Sequence, residues 1–339
     1  MHTKMKYIFI CGISGSGKGL LRTLLDGHSH VATCPFQGYG YDFIDKPFND
    51  LLRRDRPYAT LSRMKKIQKS IVSINNYGVT IGELFRVFSR SYGEVVDASL
   101  SKKIRAASSA EGEVFVDFDL NIHNFNNSVY ESLKEQKSFS VNEVFSIFTN
   151  ALISNWRNIN TDRKNIKYFS QSSHNGVEVI KNIIKNIPDS KIIIVDRDPV
   201  DLIYTNTKRN LLKRYGLGGY QKILENRNSF VFFNKFSRHL FSQNFINKVK
   251  DFKLYTSLID KNKQIHVVKF EQLVMETKSE MNKIAHFLDI NYEDILARAT
   301  LNSVDMESND NKFVGTINDS SDQYVSGAKK KLLKLMLNT

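Results

Sequence analysis

The chain has 339 residues, of which 25% are charged and 41% hydrophobic, and its formal net charge is +14 at pH 7. It contains no run of about 18 apolar residues, which argues against a membrane-spanning helix. Its two cysteines, Cys11 and Cys34, are too few for a disulfide framework or a cysteine metal site. The positive charge favours anionic partners, but no zinc-finger, RNP or helix-turn-helix pattern indicates that nucleic acid is read.

The amino-terminal segment predicts a strand, a glycine-rich loop and a helix. The apolar run Tyr7–Cys11 is followed by Gly12-Ile-Ser-Gly-Ser-Gly-Lys18-Gly19 and then by leucines at helical spacing. Glycines let backbone N–H groups face an anion, and the helix dipole adds to the attraction, so we expect a phosphate site here. Because no charged-then-apolar leader precedes the strand, we also expect a cytoplasmic protein.

The same letters satisfy G-x-x-x-x-G-K, which leaves a nucleotide triphosphatase or a kinase open. In those proteins the next residue is a Ser or Thr whose hydroxyl holds Mg²⁺. Here that residue is Gly19, which weakens this interpretation. The segment Val114–Asp119, however, favours a kinase. It alternates like a strand with Asp117 and Asp119 outward, and Asp117 could serve as a Walker-B aspartate.

The middle of the chain, residues 36 to 165, matches no motif that we can assign. The loop Phe36-Gln-Gly-Tyr-Gly-Tyr41 follows the second predicted strand, Val31–Thr33, and its aromatic rings suit sugars. Farther on, the spacing of the apolar side chains before Trp156 predicts a buried helix.

The next segment predicts a strand followed by an amphipathic helix. Lys167–Ser170 reads as a short strand and is followed by Gln171-Ser-Ser-His-Asn175. The helix begins near Val177 and ends before Pro188. His174 therefore stands at the carboxyl end of a strand, where open α/β sheets bind ligands.

The segment from Ile193 to Arg209 is the most informative in the chain. An apolar strand ends at Arg197, and Pro199 opens a helix, because its missing N–H would have no partner at the first helical position. Thr205 and Arg209 lie four residues apart on one helical face. Two guanidinium groups and a hydroxyl that converge at a strand's carboxyl end predict a phosphate receptor.

The carboxyl-terminal third predicts two helices, the second of them in a basic tail. Thr277 with Glu280 predicts a capping box at the start of the first. The tail Lys329–Leu337 predicts a short basic amphipathic helix that packs on the body of the protein.

These blocks, in this order and spacing, resemble the sulfotransferases that use 3′-phosphoadenosine-5′-phosphosulfate (PAPS). The family opening, Gly-x-Pro-Arg-Ser-Gly-Thr-Thr-Leu-Leu followed by Leu-Leu-Asp-x-His-Pro, is similar to the segment from Gly12 to His28. The family's Arg-Asp/Asn-Pro-x-Asp block, with a Ser or Thr eight residues after the Arg, is similar to the segment from Arg197 to Thr205. Arg209 falls where the tyrosylprotein branch has a further phosphate-binding arginine. The segment Val267-Val-Lys-Phe-Glu-Gln-Leu-Val274 is similar to the family's closing strand and Tyr-Glu-Asp-Leu turn, with Phe270 in place of the tyrosine.

The resemblance implies an α/β fold, a three-layer P-loop-like arrangement with a central parallel sheet flanked by helices. It implies a single sulfotransferase-like domain over residues 1–339, with an insertion at about 40–165 that could bind the acceptor. It also implies PAPS as co-substrate without a metal, and a hydroxyl acceptor such as a carbohydrate. The implied nucleotide-binding residues are Gly15, Ser16, Gly17, Lys18, Gly19, Arg197, Thr205 and Arg209.

The chain departs from the family pattern at positions that carry chemistry. The family's basic residue before Ser-Gly is Gly15 here, and Lys18 stands in place of the first threonine, so we expect Lys18 to stabilise the leaving group. Many bacterial members have Lys-Thr-Pro where Ser172, Ser173 and His174 stand. Gln37 replaces a glutamate and cannot take a proton, so His174 is our preferred general base and Asp42 the second. A small-molecule kinase or a non-catalytic nucleotide- or polyanion-binding relative stays as an alternative.

Overall fold

The computed structural model describes residues 5–36, 95, 97–109, 112–133, 141–173, 177–225, 240–259, 262–302, 304–305 and 327–338. Its strands are β1 (Lys6–Cys11), β2 (Val31–Thr33), β3 (Lys103–Ser109), β4 (Gly112–Asp117), β5 (Tyr168–Ser172), β6 (Lys191–Asp196), β7 (Ile265–Lys269), β8 (Thr300–Leu301) and β9 (Val304–Asp305). Its helices are α1 (Lys18–Leu25), α2 (Ile122–Leu133), α3 (Val141–Asn155), α4 (Val177–Asn186), α5 (Pro199–Glu225), α6 (Gln243–Ile259), α7 (Phe270–Met275), α8 (Thr277–Leu288) and α9 (Gly327–Asn338), with a 3₁₀ turn at Asp294–Ala297.

A five-stranded parallel sheet in the order β2-β5-β1-β6-β7 forms the centre of the protein. The chain passes from β1 through α1 to β2 in one direction and from β5 through α4 to β6 in the other. Because such crossovers are right-handed, α1 and α4 cover opposite faces of the sheet. The predicted three-layer α/β fold with a central parallel sheet is confirmed.

The sheet is apolar because it is covered on both faces. Ile8, Phe9 and Ile10 of β1 are fully buried, and so are all four residues from Ile192 to Val195 in β6. Helix α3 adds the ring of Phe145, whose centroid lies 4.8 Å from that of Tyr7. As predicted, the helix before Trp156 is buried, and Trp156 itself, 1% exposed, follows its last residue.

The order of the strands determines where the loops meet. In β1, Ile10 pairs with Ser172 of β5 and with Ile193 of β6. All three strands are parallel, so the loops that follow them emerge together at the carboxyl edge of the sheet. Strand β5 runs two residues beyond the predicted Ser170, which brings Ser172 into the sheet and Ser173 to its edge.

Two details of the sequence interpretation were wrong. Strand β4, which contains Asp117, pairs antiparallel with β3 in a separate two-stranded sheet, so Asp117 is not a Walker-B aspartate beside β1. The capping box is absent as well, because the Thr277 hydroxyl donates to the Leu273 carbonyl of α7 at 2.8 Å and the Glu280 carboxylate pairs with Lys283.

The carboxyl-terminal helix α9 forms as predicted and packs against α5 and α6 through Leu333, which is fully buried. Helix α5 contains a break at Gly216, whose φ of 68° and ψ of 177° are not helical. Within the described ranges, no helix is long and apolar enough to cross a membrane.

Candidate functional site

The loop between β1 and α1 has a backbone that requires glycine. Gly15 and Gly17 have φ of 94° and 101°, in the left-handed region where side chains are strained. A Cβ at Gly15 would lie 3.3 Å from Thr205 Cγ2, and a Cβ at Gly17 would overlap the ring of Phe270. The glycines therefore let helix α5 and the start of α7 approach the loop closely.

Arg197 joins this loop to the carboxyl edges of β6 and β7. Its Nη1 donates to the Gly15 carbonyl at 3.0 Å, and the centre of its guanidinium lies 4.5 Å from the centroid of the Phe270 ring. Arg197 is buried, at 5% exposure. Ring stacking and a carbonyl acceptor thus fix a permanently charged group at the edge of the loop.

Helix α5 brings two further side chains to the same loop. Arg209 Nη1 donates to Ser14 Oγ at 2.6 Å, and Thr205 lies against Gly15. The Thr205 and Ser16 hydroxyls are buried and have no hydrogen-bond partner among the described residues. Two buried hydroxyls of this kind beside two arginines suit an oxyanion, which would supply the missing acceptors.

The start of α5 is held by carboxylates. Asp198 Oδ1 accepts from the backbone N–H groups of Val200 and Asp201 at 2.8 and 3.0 Å, which caps the helix. The backbone N–H of Asp198 donates to Glu271 at 2.8 Å. These bonds fix the turn that carries Arg197.

The residue before Arg197, Asp196, is anchored by two lysines. Its buried carboxylate accepts from Lys253 of α6 and from Lys269 at the end of β7, the latter at 2.5 Å. A buried carboxylate is stable only when it is paired, so Asp196 ties β6, β7 and α6 together below the site.

Lys18 points back into the loop. Its Nζ donates to the Gly12 carbonyl at 2.5 Å and to the Ser173 carbonyl at 2.9 Å, and the side chain is buried. The ammonium therefore lies between the carboxyl ends of β1 and β5, beside the backbone that leads into His174.

The structure brings most of the predicted site residues together. Arg197 bonds to Gly15 and Thr205 lies against Gly15, Arg209 bonds to the same loop, Ser16 and Gly17 lie within it, and Lys18 follows it as the first residue of α1. Gly19 is in α1, and a Cβ added there would meet open space. The candidate bases His174 and Asp42, and also Gln37, lie outside the described residues.

The sequence interpretation missed three contributors. Ser14 accepts from Arg209, the Ser173 carbonyl accepts from Lys18, and Phe270 stacks on Arg197. Phe270 was noted only as a replacement for a tyrosine. The signal available for it was its place directly after a strand of the sheet, at the edge where the other site residues gather.

A cavity of about 710 Å³ opens next to the loop. Ile13 and Ser14 line it on the loop side, Asn206 lines it on α5, and residues of α4 and α6 complete it. Burial raises the pKa of Tyr255, one of these α6 residues, and Lys181 lowers it by a smaller amount. The Tyr255 hydroxyl therefore stays protonated at neutral pH and can donate a hydrogen bond.

A parallel sheet, a glycine-rich loop at its edge and clustered arginines define an α/β protein with a candidate oxyanion site. The sulfotransferase domain family matches residues 157–329, just over half of the chain. The chain belongs to this family and is a PAPS-dependent sulfotransferase. The predicted family and activity are thereby confirmed.

Similar solved structures are distant in sequence. The sulfotransferase domain from the curacin biosynthetic pathway has 13% identity and a TM-score of 0.45, with 98% of each chain covered. The sulfotransferase domain of the Synechococcus PCC 7002 olefin synthase has 10% identity and a TM-score of 0.44, covering 100% of this chain and 96% of that one. Retinol dehydratase in complex with androsterone and inactive cofactor PAP has 12% identity and a TM-score of 0.38, with 98% of this chain and 79% of that chain covered. No curated protein matches the chain by sequence.

Proposed function

We propose that the protein moves a sulfuryl group from PAPS to the hydroxyl of a small acceptor and that the loop Gly12–Gly17 with Arg197, Thr205 and Arg209 holds the donor. The observation that carries the proposal is the convergence of these three side chains on Ser14 and Gly15. The arginines and Thr205 are assigned to the 3′-phosphate. The loop backbone with Ser16 is assigned to the 5′-phosphate.

The transfer requires few protein groups. The acceptor oxygen forms a bond to sulfur while the bond from sulfur to the bridging oxygen breaks, and the electron pair stays on that oxygen, which leaves with adenosine 3′,5′-bisphosphate (PAP). The acceptor's proton passes to a base. Rigid positioning of the donor and neutralisation of charge on the bridging oxygen are therefore the main tasks of the site.

Lys18 is our candidate for the charge on the leaving oxygen. Its ammonium lies at the base of the loop, between the Gly12 and Ser173 carbonyls. The loop Gly12–Gly17 itself contains no lysine or arginine, and Lys18 follows it directly. His174 follows Ser173 directly in the chain, which favours it as the base, and Asp42 stays the second candidate.

The nucleotide assignment is tested by thermal shift in the presence of EDTA. A ligand that binds only the folded state raises the melting temperature by mass action. We expect PAP to raise it more than AMP at equal concentration, because AMP offers nothing to the arginines and Thr205. Equal shifts for the two nucleotides would refute the 3′-phosphate site, and a larger shift with ATP and Mg²⁺ in a buffer without EDTA would favour a kinase.

A further inference from the structure

The cavity beside the loop borders the proposed nucleotide site and shares with it only Ile13 and Ser14 of the loop, among the described residues. Ser14, which lines the cavity, accepts a hydrogen bond from Arg209, and Asn206 follows Thr205 on α5. Arg197, Gly17 and Phe270 do not line it. A molecule in the cavity would therefore meet the loop from the side of α4 and α6 without touching Arg197 or Phe270.

The walls of the cavity are mainly apolar. Ile13 of the loop, Val177 of α4, and Phe245 and Leu254 of α6 contribute carbon surface. Leu254 is 65% exposed, so it forms part of an open rim. An apolar side chain exposed at a cavity mouth favours a ligand that covers it with a hydrophobic body.

The charged groups of the cavity balance one another. The Glu178 carboxylate accepts from Lys181 at 2.8 Å, and the Lys181 ammonium lies 5.8 Å from the centre of the Tyr255 ring. The other two charged lining residues in the described ranges, Lys248 and Asp251, have opposite signs. The described charged groups of the lining, counted together with Lys181, thus sum to zero, although the whole chain carries +14.

We propose that this cavity is the acceptor site and that it takes a small, uncharged hydroxyl compound with an apolar body. This inference rests on the proposed sulfuryl transfer. A volume near 710 Å³ holds one molecule of modest size, since ligand pockets span roughly 300–1,000 Å³. An acidic polysaccharide would need an extended, positively charged groove, and the apolar walls and balanced charges do not provide one.

The test uses 2-naphthol as the apolar hydroxyl probe and a chondroitin hexasaccharide as the acidic glycan probe. Binding of each is measured by calorimetry with PAP present, and transfer is measured from PAPS. We expect 2-naphthol to bind and to accept sulfate. Val177→Trp, which fills the cavity, should weaken 2-naphthol binding at least about tenfold and leave the affinity for PAP within about twofold, tenfold being about 1.4 kcal/mol.

Leu254→Asp provides a second variant that does not disturb the core, because Leu254 is largely exposed. It should weaken 2-naphthol binding. The control is Leu335→Asp, which should not weaken it, because Leu335 of α9 is 55% exposed and lies outside the cavity lining.

A loss of PAP affinity in Val177→Trp would assign the cavity to the nucleotide and overturn the proposal. Binding of the hexasaccharide but not of 2-naphthol, or of neither, would overturn it too. Absence of PAP binding in the parent protein would instead refute the proposed function itself.

Discussion

Single side chains in this site are held by hydrogen bonds to residues far away in the sequence. Arg197 donates to the Gly15 carbonyl, 182 positions earlier, and Arg209 donates to Ser14, 195 positions earlier. Lys18 reaches Ser173, 155 positions later. Each charged group thus has a fixed position before any ligand arrives, which lowers the entropy lost on binding.

Arg197→Ala should weaken PAP binding by about 2–4 kcal/mol, as expected when a charge-assisted contact in a buried site is lost. Arg197→Lys should recover only part of this loss, because a lysine keeps the charge without the planar fork or the stacking on Phe270. Calorimetric titration with PAP measures both variants. A near-parental affinity in Arg197→Ala would assign the residue a purely structural role.

Lys18→Ala should reduce kcat by roughly 10²–10³ while changing the affinity for PAP little, because charge on the bridging oxygen develops mainly in the transition state. The variant also leaves the Gly12 and Ser173 carbonyls without the ammonium, so a lower melting temperature is expected as well. Steady-state kinetics at saturating PAPS separates the two effects. Transfer at the parental rate would refute the catalytic assignment.

At the scale of elements, the site depends on how α1, α5 and α7 begin. All three helices start at the carboxyl edge of the sheet, after β1, β6 and β7 respectively. Phe270 is the first residue of α7, and its ring contacts both Gly17 and the guanidinium of Arg197. This ring therefore sets the distance between the loop and the arginine.

Phe270→Leu should lower the ratio of PAP to AMP affinity, because Arg197 loses the ring that orients it towards the 3′-phosphate. Phe270→Tyr keeps the ring and serves as the matched control, with a ratio close to the parental one. Titration of each variant with PAP and with AMP gives the ratio. If Phe270→Leu weakens both nucleotides equally, the ring supports the fold of the loop rather than the orientation of Arg197.

At the scale of the whole molecule, the turn after α1 is tied to the carboxyl-terminal third. Glu293 accepts from the backbone N–H of Ser29 at 3.1 Å and from its hydroxyl, and the fully buried His28 lies 3.5 Å from the same carboxylate. Burial alone would raise the pKa of Glu293, but the bonds from Ser29, together with His28 and His30, lower it below its usual value.

A carboxylate whose pKa is lowered by folding stabilises the protein above its unfolded-state pKa, and this stabilisation is lost as the pH falls through the folded pKa. We therefore expect part of the stability of the parent to disappear on acidification below about pH 4.3, the ordinary pKa of glutamate. Glu293→Gln should show a flatter dependence of melting temperature on pH in this acidic range. Identical pH profiles for the two proteins would contradict this role.

The arrangement of the chain as a single domain with an insertion at about 40–165 stays a proposal. Within that stretch, β4 contains the buried Val116. Phe118 follows the last residue of β4, and the centroid of its ring lies 5.3 Å from that of Phe36. Phe118 also packs against Trp156, with centroids 5.4 Å apart. These contacts join the described part of the insertion to the segment after β2.

The sequence alone determined the local elements that carry the site, which are β1, α1, β5, α4, β6 and the start of α5, and their order. Continuous apolar runs predicted β1 and β6, because strands buried on both faces carry few polar residues. The glycine-rich loop and Pro199 indicated where helices begin, and the four-residue spacing placed Thr205 and Arg209 on one face. These are properties of neighbouring residues, so a short window of sequence is enough to predict them.

Only the tertiary structure decided which of these groups meet. The order of the strands places β1 between β5 and β6 and leaves β4 outside the main sheet, which removes Asp117 from the edge where the site lies. Residues far apart in the chain meet where Phe270 stacks on Arg197 and where Lys18 donates to the Ser173 carbonyl. The charged residues around the cavity likewise come from separate helices. Such contacts follow from the packing of whole elements, and local propensity does not encode them.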